Sequence, residues 1–498
     1  MKVFIITEGG RNIGFGHVTR CLSLYEAFEE RNITPEFIVS SDEAIKNVLA
    51  GKRFRIVNWL KKTDELLSLV KGADIAIADS YLAGTDVYKE LSESVKLAVY
   101  IDDYNRIEYP KGIVVNGMVY AEEIDYPRRK DIKYLLGPQY IPLRKAFWGA
   151  AEKEIKKDVE DVMVTFGGDD KRSMMLKILN FLKKEFPRLT KDVIIGKSFY
   201  DKDVKEIEIL KNDKINLFYN PDAVAMREIM LKADIAISAG GQTLYELARI
   251  GVPTVGICIA DNQRQNLEGW QRCGVVEYIG WYNDDNLMEK LKGSIEYMAD
   301  VNIRKKKSDL AGKLIDGRGS TRVAGIILHN LFKSQLSFRR AKFDDAQEML
   351  NLYNDDAVRE NSFNPGKIEW QHHAKWLTER LNDDNCVFFI VNTHTTFYGQ
   401  VRFDIDPEKK EAVINISLKK DIRGLNLGSF VVNKSINELL KIRGNIKLIR
   451  AYIKKGNIPS IKTFERADFK FSEDTIFKNH EAKVYLRGIG HAGIGQNR

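Results

Sequence analysis

The chain has 498 residues and a formal net charge of +8, and 44% of its residues are hydrophobic. Its length predicts about three domains, and a modest charge without an aromatic-studded basic stripe argues against a nucleic acid partner. The sequence contains no apolar run of 18 residues and no signal-peptide pattern, so we expect a cytoplasmic protein with no membrane partner.

Residues 1–147 alternate short apolar runs with helical segments. The runs are nearly continuous in Val, Ile, Ala and Leu, which is typical of strands buried on both faces of a parallel sheet. They cover residues 3–6, 36–39, 75–78, 97–101 and 113–115. The pattern predicts a doubly wound, Rossmann-like α/β domain over 1–147.

A glycine loop, Gly14-Phe15-Gly16-His17, separates the first strand from a helix that starts near Val18. Its glycines let the main chain approach a ligand, and the helix N-terminus offers N–H groups to an anion. The helix N-terminus also disfavours a protonated imidazole, so His17 is suited to accept a proton. A tight turn with a capping histidine is the alternative interpretation.

Residues 148–333 repeat the α/β pattern and predict a second Rossmann-like, nucleotide-binding domain. Its strands cover residues 162–166, 193–195, 215–219, 235–238 and 254–259. After the fourth of these strands, Gly240 and Gly241 open a helix and predict a diphosphate site. Glu246, one turn later, is able to accept hydrogen bonds from a ribose diol, although the helix dipole alone also favours Glu there.

Three charged or thiol patterns suggest structure rather than chemistry. The run Arg304-Lys305-Lys306-Lys307 predicts the solvated face of a helix. Asp102-Asp103 is the nearest candidate for a metal or acid pair, but adjacent strand residues point to opposite faces. The cysteines have neither C-x-x-C spacing nor a neighbouring His, so we predict no metal site; they are Cys21, Cys258, Cys273 and Cys386.

Residues 336–488 have a different rhythm and predict an α+β domain with a mostly antiparallel sheet. Helices come first, followed by strands at 387–391, 397–403, 412–418 and 446–453. The loop Arg423-Gly424-Leu425-Asn426-Leu427-Gly428 precedes a helix and offers N–H groups to a pyrophosphate. Asn457 begins the next helix as an N-cap, an active-site residue or both. We expect residues 489–498 to form a flexible tail.

Six motifs stand in order through residues 1–333: Ile13-Gly14-Phe15-Gly16-His17, Asp79-Ser80-Tyr81, Gly137-Pro138 with Pro142-Leu143-Arg144, Phe166-Gly167-Gly168-Asp169, Ser238-Ala239-Gly240-Gly241 with Glu246, and Ala260-Asp261-Asn262-Gln263. Together they resemble the UDP-2,4-diacetamido-2,4,6-trideoxy-β-L-altropyranose hydrolase family of pseudaminic acid biosynthesis. The resemblance implies a GT-B arrangement with His17 as the general base. It also implies a set of substrate-binding residues: Gly14, Gly16, Tyr81, Gly240, Gly241, Glu246, Asn262 and Gln263.

The implied chemistry agrees with the residues. A neutral His17 would take a proton from the water that attacks the anomeric carbon, which inverts that carbon and expels the nucleotide. Glycosidases need a second carboxyl group to protonate an alkoxide, but a terminal phosphate with a second pKa of about 6 departs without one. The hydrolysis is therefore expected to need no metal and no acid partner.

The third domain has motifs of its own: Tyr353-Asn354-Asp355-Asp356 with Val358-Arg359, His373-Ala374-Lys375-Trp376, the loop at 423–428, and Asn457-Ile458-Pro459-Ser460. They are similar to the GNAT acetyltransferase superfamily, and within it to the N-acetyltransferases of pseudaminic acid biosynthesis. The resemblance implies acetyl-CoA as co-substrate, bound by Arg423, Gly424, Leu425, Asn426, Leu427, Gly428 and Asn457.

Two departures from that superfamily affect the chemistry. Asn426 stands where glycine is usual, and Asn is the next best residue at positive φ. Phe464 stands where many members carry a tyrosine that protonates the leaving thiolate, so the acid is unassigned. His372 and His373 are candidate bases, but a helix histidine beside Trp370 and Trp376 more often packs in a core.

The sequence thus predicts a bifunctional enzyme. Its acetyltransferase acetylates a UDP-4-amino-4,6-dideoxy-N-acetyl-altrosamine, and its hydrolase releases the diacetamido sugar from UDP. The alternatives are a GT-B glycosyltransferase that uses a related amino-sugar nucleotide, and a nucleotide-sugar-binding module that regulates a protein acetyltransferase. The sugar stereochemistry, the acyl group and the oligomeric state are left open by the sequence.

Overall fold

The computed structural model describes residues 1–10, 14–151, 153–168, 170 and 172–490. The chain forms two compact units, unit 1 (Met1–Ala324) and unit 2 (Gly325–Arg498). Unit 1 contains two parallel sheets, and unit 2 contains one mixed sheet. Among the described residues, none of the helices combines the length and hydropathy needed to cross a bilayer.

The first sheet of unit 1 is built from β1 (Val3–Glu8), β2 (Glu36–Ser40), β3 (Phe54–Ile56), β4 (Ile75–Asp79), β5 (Leu97–Ile101), β6 (Gly112–Asn116) and β7 (Ile132–Leu136), with helices α1 (Gly16–Glu29), α2 (Ile45–Val48), α3 (Thr63–Val70) and α4 (Thr85–Ser94). The strands lie in the order β3-β2-β1-β4-β5-β6-β7. The order reverses between β1 and β4, and such sheets bind ligands outside the carboxyl ends of the strands at that point.

The second sheet is built from β8 (Asp161–Thr165), β9 (Thr190–Ile195), β10 (Ile215–Tyr219), β11 (Ile235–Ala239), β12 (Thr254–Cys258) and β13 (Val276–Trp281), with helices α5 (Met174–Glu185), α6 (Asp201–Ile209), α7 (Ala223–Lys232), α8 (Thr243–Ile250), α9 (Asp261–Arg272), α10 (Leu287–Tyr297), α11 (Val301–Leu314) and α12 (Gly319–Gln335). The strands lie in the order β10-β9-β8-β11-β12-β13, so this sheet reverses between β8 and β11. The boundary between the two units falls within α12.

The sheet of unit 2 is built from β14 (Ser337–Arg340), β15 (Cys386–Asn392), β16 (Phe397–Asp406), β17 (Glu411–Leu418), β18 (Leu448–Lys454), β19 (Lys470–Phe477) and β20 (His480–Gly488), with helices α13 (Ala346–Tyr353), α14 (Asp356–Asn361), α15 (Trp370–Leu381), α16 (Gly428–Ile442) and α17 (Ile458–Arg466). Its order is β14-β15-β16-β17-β18-β20-β19. The pairs are antiparallel except β17 with β18, which are parallel and pair only from Glu411 to Val413 on β17. Beyond Val413 these two strands separate.

The predicted fold class is confirmed, because parallel sheets fill the N-terminal part and an α+β sheet follows. The reason lies in the strands, whose side chains are buried on both faces in unit 1; all five residues of β4, for example, are buried.

The expectation that the basic run at 304–307 forms a solvated helix face is wrong. Arg304 and Lys307, i and i+3 on α11, are buried rather than solvated, while Lys305 and Lys306 are exposed.

Arg304 is buried because it satisfies backbone carbonyl groups. Its side chain is 0% exposed, and its guanidinium donates to the carbonyls of Met298 (2.9 Å), Lys156 (3.0 Å) and Lys157 (2.7 Å). Lys307 donates to the carbonyl of Gly274 (3.1 Å) in the same way. Half of the basic run therefore ties α11 to the segment before β8 and to the turn before β13.

Candidate active sites

His17 lies at the reversal point of the first sheet. It is the second residue of α1, and its side chain is 19% exposed. Its Nδ1 lies 3.5 Å from Asp79 Oδ1 and 3.8 Å from Glu8 Oε1. The ring of Tyr81 packs edge-on against the imidazole, with centroids 4.3 Å apart. Because Glu8 ends β1 and Asp79 ends β4, the parallel sheet itself brings the two carboxylates to the histidine.

Arg20, one turn after His17 on α1, holds two buried carboxylates. Its Nε and Nη2 donate to Asp79 at 2.5 and 2.6 Å, and its Nη1 donates to both oxygens of Asp103 at 2.8 Å. Asp103 also accepts the hydroxyl of Tyr81. Burial alone would raise the pKa of Asp79, but the charges of Arg20 and His17 outweigh it and hold that pKa below its usual value. The carboxylate beside His17 is therefore kept ionised.

Glu8 differs from Asp79 in its electrostatics. Its Oε1 accepts the backbone N–H of Tyr81 at 3.0 Å. Burial raises the pKa of Glu8, and the Ser80 hydroxyl, His17 and the Tyr81 N–H offset only part of that effect. The sequence interpretation missed Glu8 and Arg20, and it named Asp103 only as a discounted candidate for a metal or acid pair. A signal was present, since acids follow the first and third predicted strands and an arginine follows His17 at helical spacing.

The glycine loop before α1 is open to a ligand. Gly10 and Gly14 exchange two backbone hydrogen bonds of 3.1 and 2.8 Å, which close the loop on itself. Gly14 has φ +82, and a Cβ at Gly14 or Gly16 would meet no atom of the described residues within 4 Å. Main-chain groups here are therefore accessible. Ile13 and Asp169, which belong to the sequence motifs, lie outside the described residues.

The second glycine turn follows β11, at the reversal point of the second sheet. Gln263 Oε1 accepts the backbone N–H groups of Gly240 and Ile259, each at 3.2 Å. A Cβ on Gly240 would lie 2.8 Å from side-chain atoms of Gln263 and Leu267, whereas one on Gly241 would meet nothing within 4 Å in the part of the chain that the structure describes. Gly240 and Gln263 thus close the turn, and Gly241 is its open residue. Asn262 is exposed in the first turn of α9.

Glu246, on α8, is 5% exposed and carries a bidentate partner. Arg144 donates from Nε and Nη2 to its two oxygens, both at 2.7 Å. The preceding residue, Tyr245, connects the two halves of unit 1, because its hydroxyl donates to Asn266 Oδ1 (2.6 Å) and accepts the Val119 N–H (3.1 Å). Among the predicted substrate residues, a ring contact joins His17 to Tyr81, and a hydrogen bond joins Gly240 to Gln263. No hydrogen bond, ion pair or ring contact among the described residues joins one of these pairs to the other.

The acidic and thiol side chains form no metal centre among the described residues, where no group of three or more His, Cys, Asp or Glu could hold an ion. Asp102 and Asp103 face different partners, as expected of neighbours at a strand end. Asp102 accepts from Tyr109 (2.9 Å) and from the Asn105 N–H (2.7 Å), whereas Asp103 binds Arg20. The four cysteines are free thiols.

In unit 2, a cavity of about 990 Å³ occupies the opening between β17 and β18. Six of the seven predicted coenzyme A residues line it: Arg423, Gly424, Asn426, Leu427, Gly428 and Asn457. Leu425 is buried instead, and its carbonyl contacts Nδ1 of His329 at 2.8 Å.

The loop at 423–428 has the backbone that its sequence predicts. Asn426 has φ +56 and Gly424 has φ +72, and Arg466 donates to Asn426 Oδ1 at 2.6 Å. Gly428 begins α16, where a Cβ would lie 2.8 Å from the Thr463 side chain. Asn457 is the N-cap of α17, since its Oδ1 accepts the Ser460 N–H at 3.1 Å.

The two candidate base histidines lie elsewhere. His373 is 1% exposed, its ring contacts those of Tyr353 and Trp376, and burial lowers its pKa. His372 is exposed on α15. Neither belongs to the described lining of the cavity, whereas Phe464 does and packs on Phe469 with ring centroids 5.0 Å apart. The packed interpretation of His373 thus agrees with the structure.

Comparison with known proteins finds relatives for both parts. Residues 335–470 match the acetyltransferase (GNAT) domain. A protein of Methanocaldococcus jannaschii described as uncharacterized is 24% identical over 497 residues, covering 94% of this chain and 97% of its own. The pseudaminic acid cytidylyltransferase and UDP-2,4-diacetamido-2,4,6-trideoxy-β-L-altropyranose hydrolase of Helicobacter pylori is 24% identical, covering 56% of this chain and 48% of its own.

The UDP-2,4-diacetamido-2,4,6-trideoxy-β-L-altropyranose hydrolase of Campylobacter jejuni is 22% identical, covering 56% of this chain and 99% of its own. Residues 325–498 are too few to supply that share, so the likeness includes unit 1. A crystal structure of spermidine N-acetyltransferase from Vibrio cholerae in complex with CoA and spermine has 17% identity and a TM-score of 0.29, covering 31% of this chain and 96% of its own. The chain therefore joins a part similar to these hydrolases with a part that matches the acetyltransferase (GNAT) domain.

Proposed function

We propose that the chain is a bifunctional nucleotide-sugar enzyme of pseudaminic acid biosynthesis. Unit 2 transfers the acetyl group of acetyl-CoA to the 4-amino group of UDP-4-amino-4,6-dideoxy-N-acetyl-β-L-altrosamine. Unit 1 then hydrolyses UDP-2,4-diacetamido-2,4,6-trideoxy-β-L-altropyranose to the free sugar and UDP. The observation that carries the proposal is His17 at the reversal point of its sheet, with Nδ1 facing the carboxylates of Asp79 and Glu8.

This arrangement suits His17 to act as a general base. Carboxylates opposite Nδ1 favour a proton on that nitrogen, which leaves Nε2 to accept one. In the proposed step, Nε2 takes a proton from a water as its oxygen attacks the anomeric carbon, and the bond between that carbon and the UDP oxygen breaks. The anomeric carbon inverts, and the Asp79 carboxylate stabilises the imidazolium that forms.

The leaving group is proposed to sit at the second glycine turn. Gly241 is open at the N-terminus of α8, where backbone N–H groups favour a diphosphate. Glu246 accepts from Arg144, and each carboxylate oxygen has a further lone pair for a ribose hydroxyl. Tyr81 and Asn262 are proposed to line the site that binds the sugar. As proposed, the step uses no metal because UDP departs as an anion.

Acetyl-CoA is proposed to bind in the cavity of unit 2. Its pyrophosphate would lie at the loop of residues 423–428, where Gly424 is open and α16 begins. Beyond Val413, β17 has no ladder to β18, so its backbone groups on that side are available to the amides of an extended arm. Asn457 lies at the facing edge of the same cavity.

The test is incubation of the protein with acetyl-CoA and the UDP-4-amino sugar, followed by mass spectrometry. The wild type should yield free diacetamido sugar and UDP. His17→Ala should accumulate acetylated UDP-sugar, and Gly428→Leu should stop at the amine because its side chain collides with Thr463. His394→Ala, at an exposed histidine of unit 2, is the matched control and should leave both steps unchanged.

Each contrary outcome has a distinct meaning. UDP release by His17→Ala at the wild-type rate would show that His17 is not the base. Release that depends on an added acceptor would indicate a glycosyltransferase. Binding of the UDP-sugar by the wild type without turnover would indicate a binding module.

A further inference from the structure

A polar stripe runs along the face of the unit 2 sheet that packs against α13 and α15. Gln400, Arg402 and Asp404 alternate with apolar residues on β16, so they share one face. Asp404 is paired with Cys386 on β15, and Cys386 belongs to the apolar core formed with α13 and α15. A sheet face covered by helices is normally apolar. Polar residues there break the pattern, and such breaks occur at functional sites.

Asp404 and Tyr353 each carry a polar atom with no hydrogen-bond partner among the described residues, as does Gln400 at its Oε1. Arg402 donates from Nε and Nη2 to Asp404 Oδ2 at 3.1 and 2.9 Å, which leaves the buried Oδ1 of Asp404 unpartnered. The hydroxyl of Tyr353, the last residue of α13, is also unpartnered, and this side chain is 8% exposed. Burial raises the pKa of Tyr353, so the hydroxyl keeps its proton.

Both residues line the 990 Å³ cavity. Asp404 is paired with Val413, the last residue of β17 that pairs with β18. From Val413 to Leu418 the strand covers about 17 Å at about 3.4 Å per residue, and the loop follows. A ligand that extends from the loop along β17 therefore brings its far end to Asp404.

We propose that Asp404 and Tyr353 form the subsite that binds the acceptor amino group. The proposal rests on the acetyltransferase function proposed above, and the ligand class is a primary amine on a sugar nucleotide. An amino group would donate to Asp404 Oδ1 and to the Tyr353 oxygen. A buried carboxylate oxygen without a partner needs such a donor, and a charge-assisted bond to an ammonium group is stronger than a neutral one.

Steady-state kinetics of the full-length protein test this assignment. Asp404→Asn should raise the KM for the amine by about 10- to 100-fold, the range for a hydrogen bond to a charged group. The KM for acetyl-CoA should change less than about twofold. Tyr353→Phe should raise the amine KM by about 5- to 10-fold. Asp406→Asn is the matched control, because Asp406 lies on the same strand, pairs with Lys409 and does not line the cavity.

A second measurement separates recognition from a general loss of structure. A UDP-sugar with a 4-hydroxyl in place of the 4-amino group should compete weakly in the wild type. Asp404→Asn should lose most of the preference for nitrogen over oxygen, since the carboxylate charge is absent.

Three results would overturn the assignment: an unchanged amine KM in Asp404→Asn, an equal rise in both KM values, or an unchanged preference for the amine. If the wild type acetylates a different primary amine but not the UDP-4-amino sugar, the proposed function fails. The subsite is then judged by the same variants with that amine. If the wild type acetylates no amine, both proposals fail.

Discussion

Replacement of Arg20 by Met should strongly destabilise unit 1. Arg20 is the cation for two buried carboxylates, Asp79 and Asp103, and it makes four hydrogen bonds to them. Removing one partner of a buried ion pair costs about 3–5 kcal/mol, because a charge is left buried without compensation. Met has similar length and no charge, so Arg20→Met should lower the free energy of unfolding at pH 7 by about this amount.

The loss should depend on pH in a defined direction. In the wild type the pKa of Asp79 is lowered, so the stability it contributes is present above its unfolded pKa and is lost as pH falls through the lower folded value. Without Arg20, burial is the largest remaining cause and raises that pKa. In the variant, protonation of the Asp79 carboxylate removes the uncompensated buried charge and with it part of the destabilisation. The difference between wild type and Arg20→Met should therefore shrink from pH 7 towards pH 5.

Hydrogen exchange with mass spectrometry gives the local stability of β1 and β4 without assuming that both units unfold together. Lys52→Met is the matched control, because Lys52 and Glu29 form a half-exposed ion pair at 2.6 Å. Its removal should cost at most about 1 kcal/mol. A loss below about 1 kcal/mol for Arg20→Met, or a loss that stays constant down to pH 5, would refute the reasoning.

Two further substitutions test local conformation. Asn426→Val should lower the free energy of unfolding by about 1–2 kcal/mol and weaken coenzyme A binding, since a β-branched residue is disfavoured at φ +56. Asn426→Gly should retain the turn. Calorimetric titration with coenzyme A compares the two variants, and equal binding would contradict the role of φ. Arg304→Met should lower the unfolding free energy of unit 1 by about 3 kcal/mol or more in urea, because three carbonyls lose their donor. Lys305→Met, its exposed neighbour, should stay within about 0.5 kcal/mol, and similar losses in both would show that the buried bonds do not matter.

Three of the strands missed from the sequence, β3, β7 and β19, share a physical reason. β3 is a three-residue edge strand whose residues Arg55 and Ile56 are exposed, so it shows no buried apolar run. β7 buries only Ile132 and Leu135 fully, with Lys133 exposed between them. β19 has polar residues at most positions and is largely exposed. Such strands form because a neighbouring strand offers hydrogen bonds rather than because their own side chains need burial.

The candidate site residues divide in the same way. The glycine loops, His17 and the acetyltransferase loop were predictable, because turn chemistry and a helix start are local and recur in recognisable motifs. Arg20 and the polar stripe on β16 were not identified, and the partnership of Asp103 with Arg20 was not foreseen. Their roles depend on which strands are neighbours, and this is a non-local property of the sheet.

The sequence by itself determined the fold class, the order of the α/β and α+β parts, and the positions at which glycines open helices, since periodicity and backbone preference act within a few residues. Only the tertiary structure decided that Glu8 and Asp79 face His17, that Gln263 occupies the Gly240 N–H, and that Asp404 lies where β17 and β18 separate. Strand order brings residues that are far apart in the chain to within hydrogen-bonding distance of each other. The packing around them then determines which buried polar atoms have a partner in the chain and which do not.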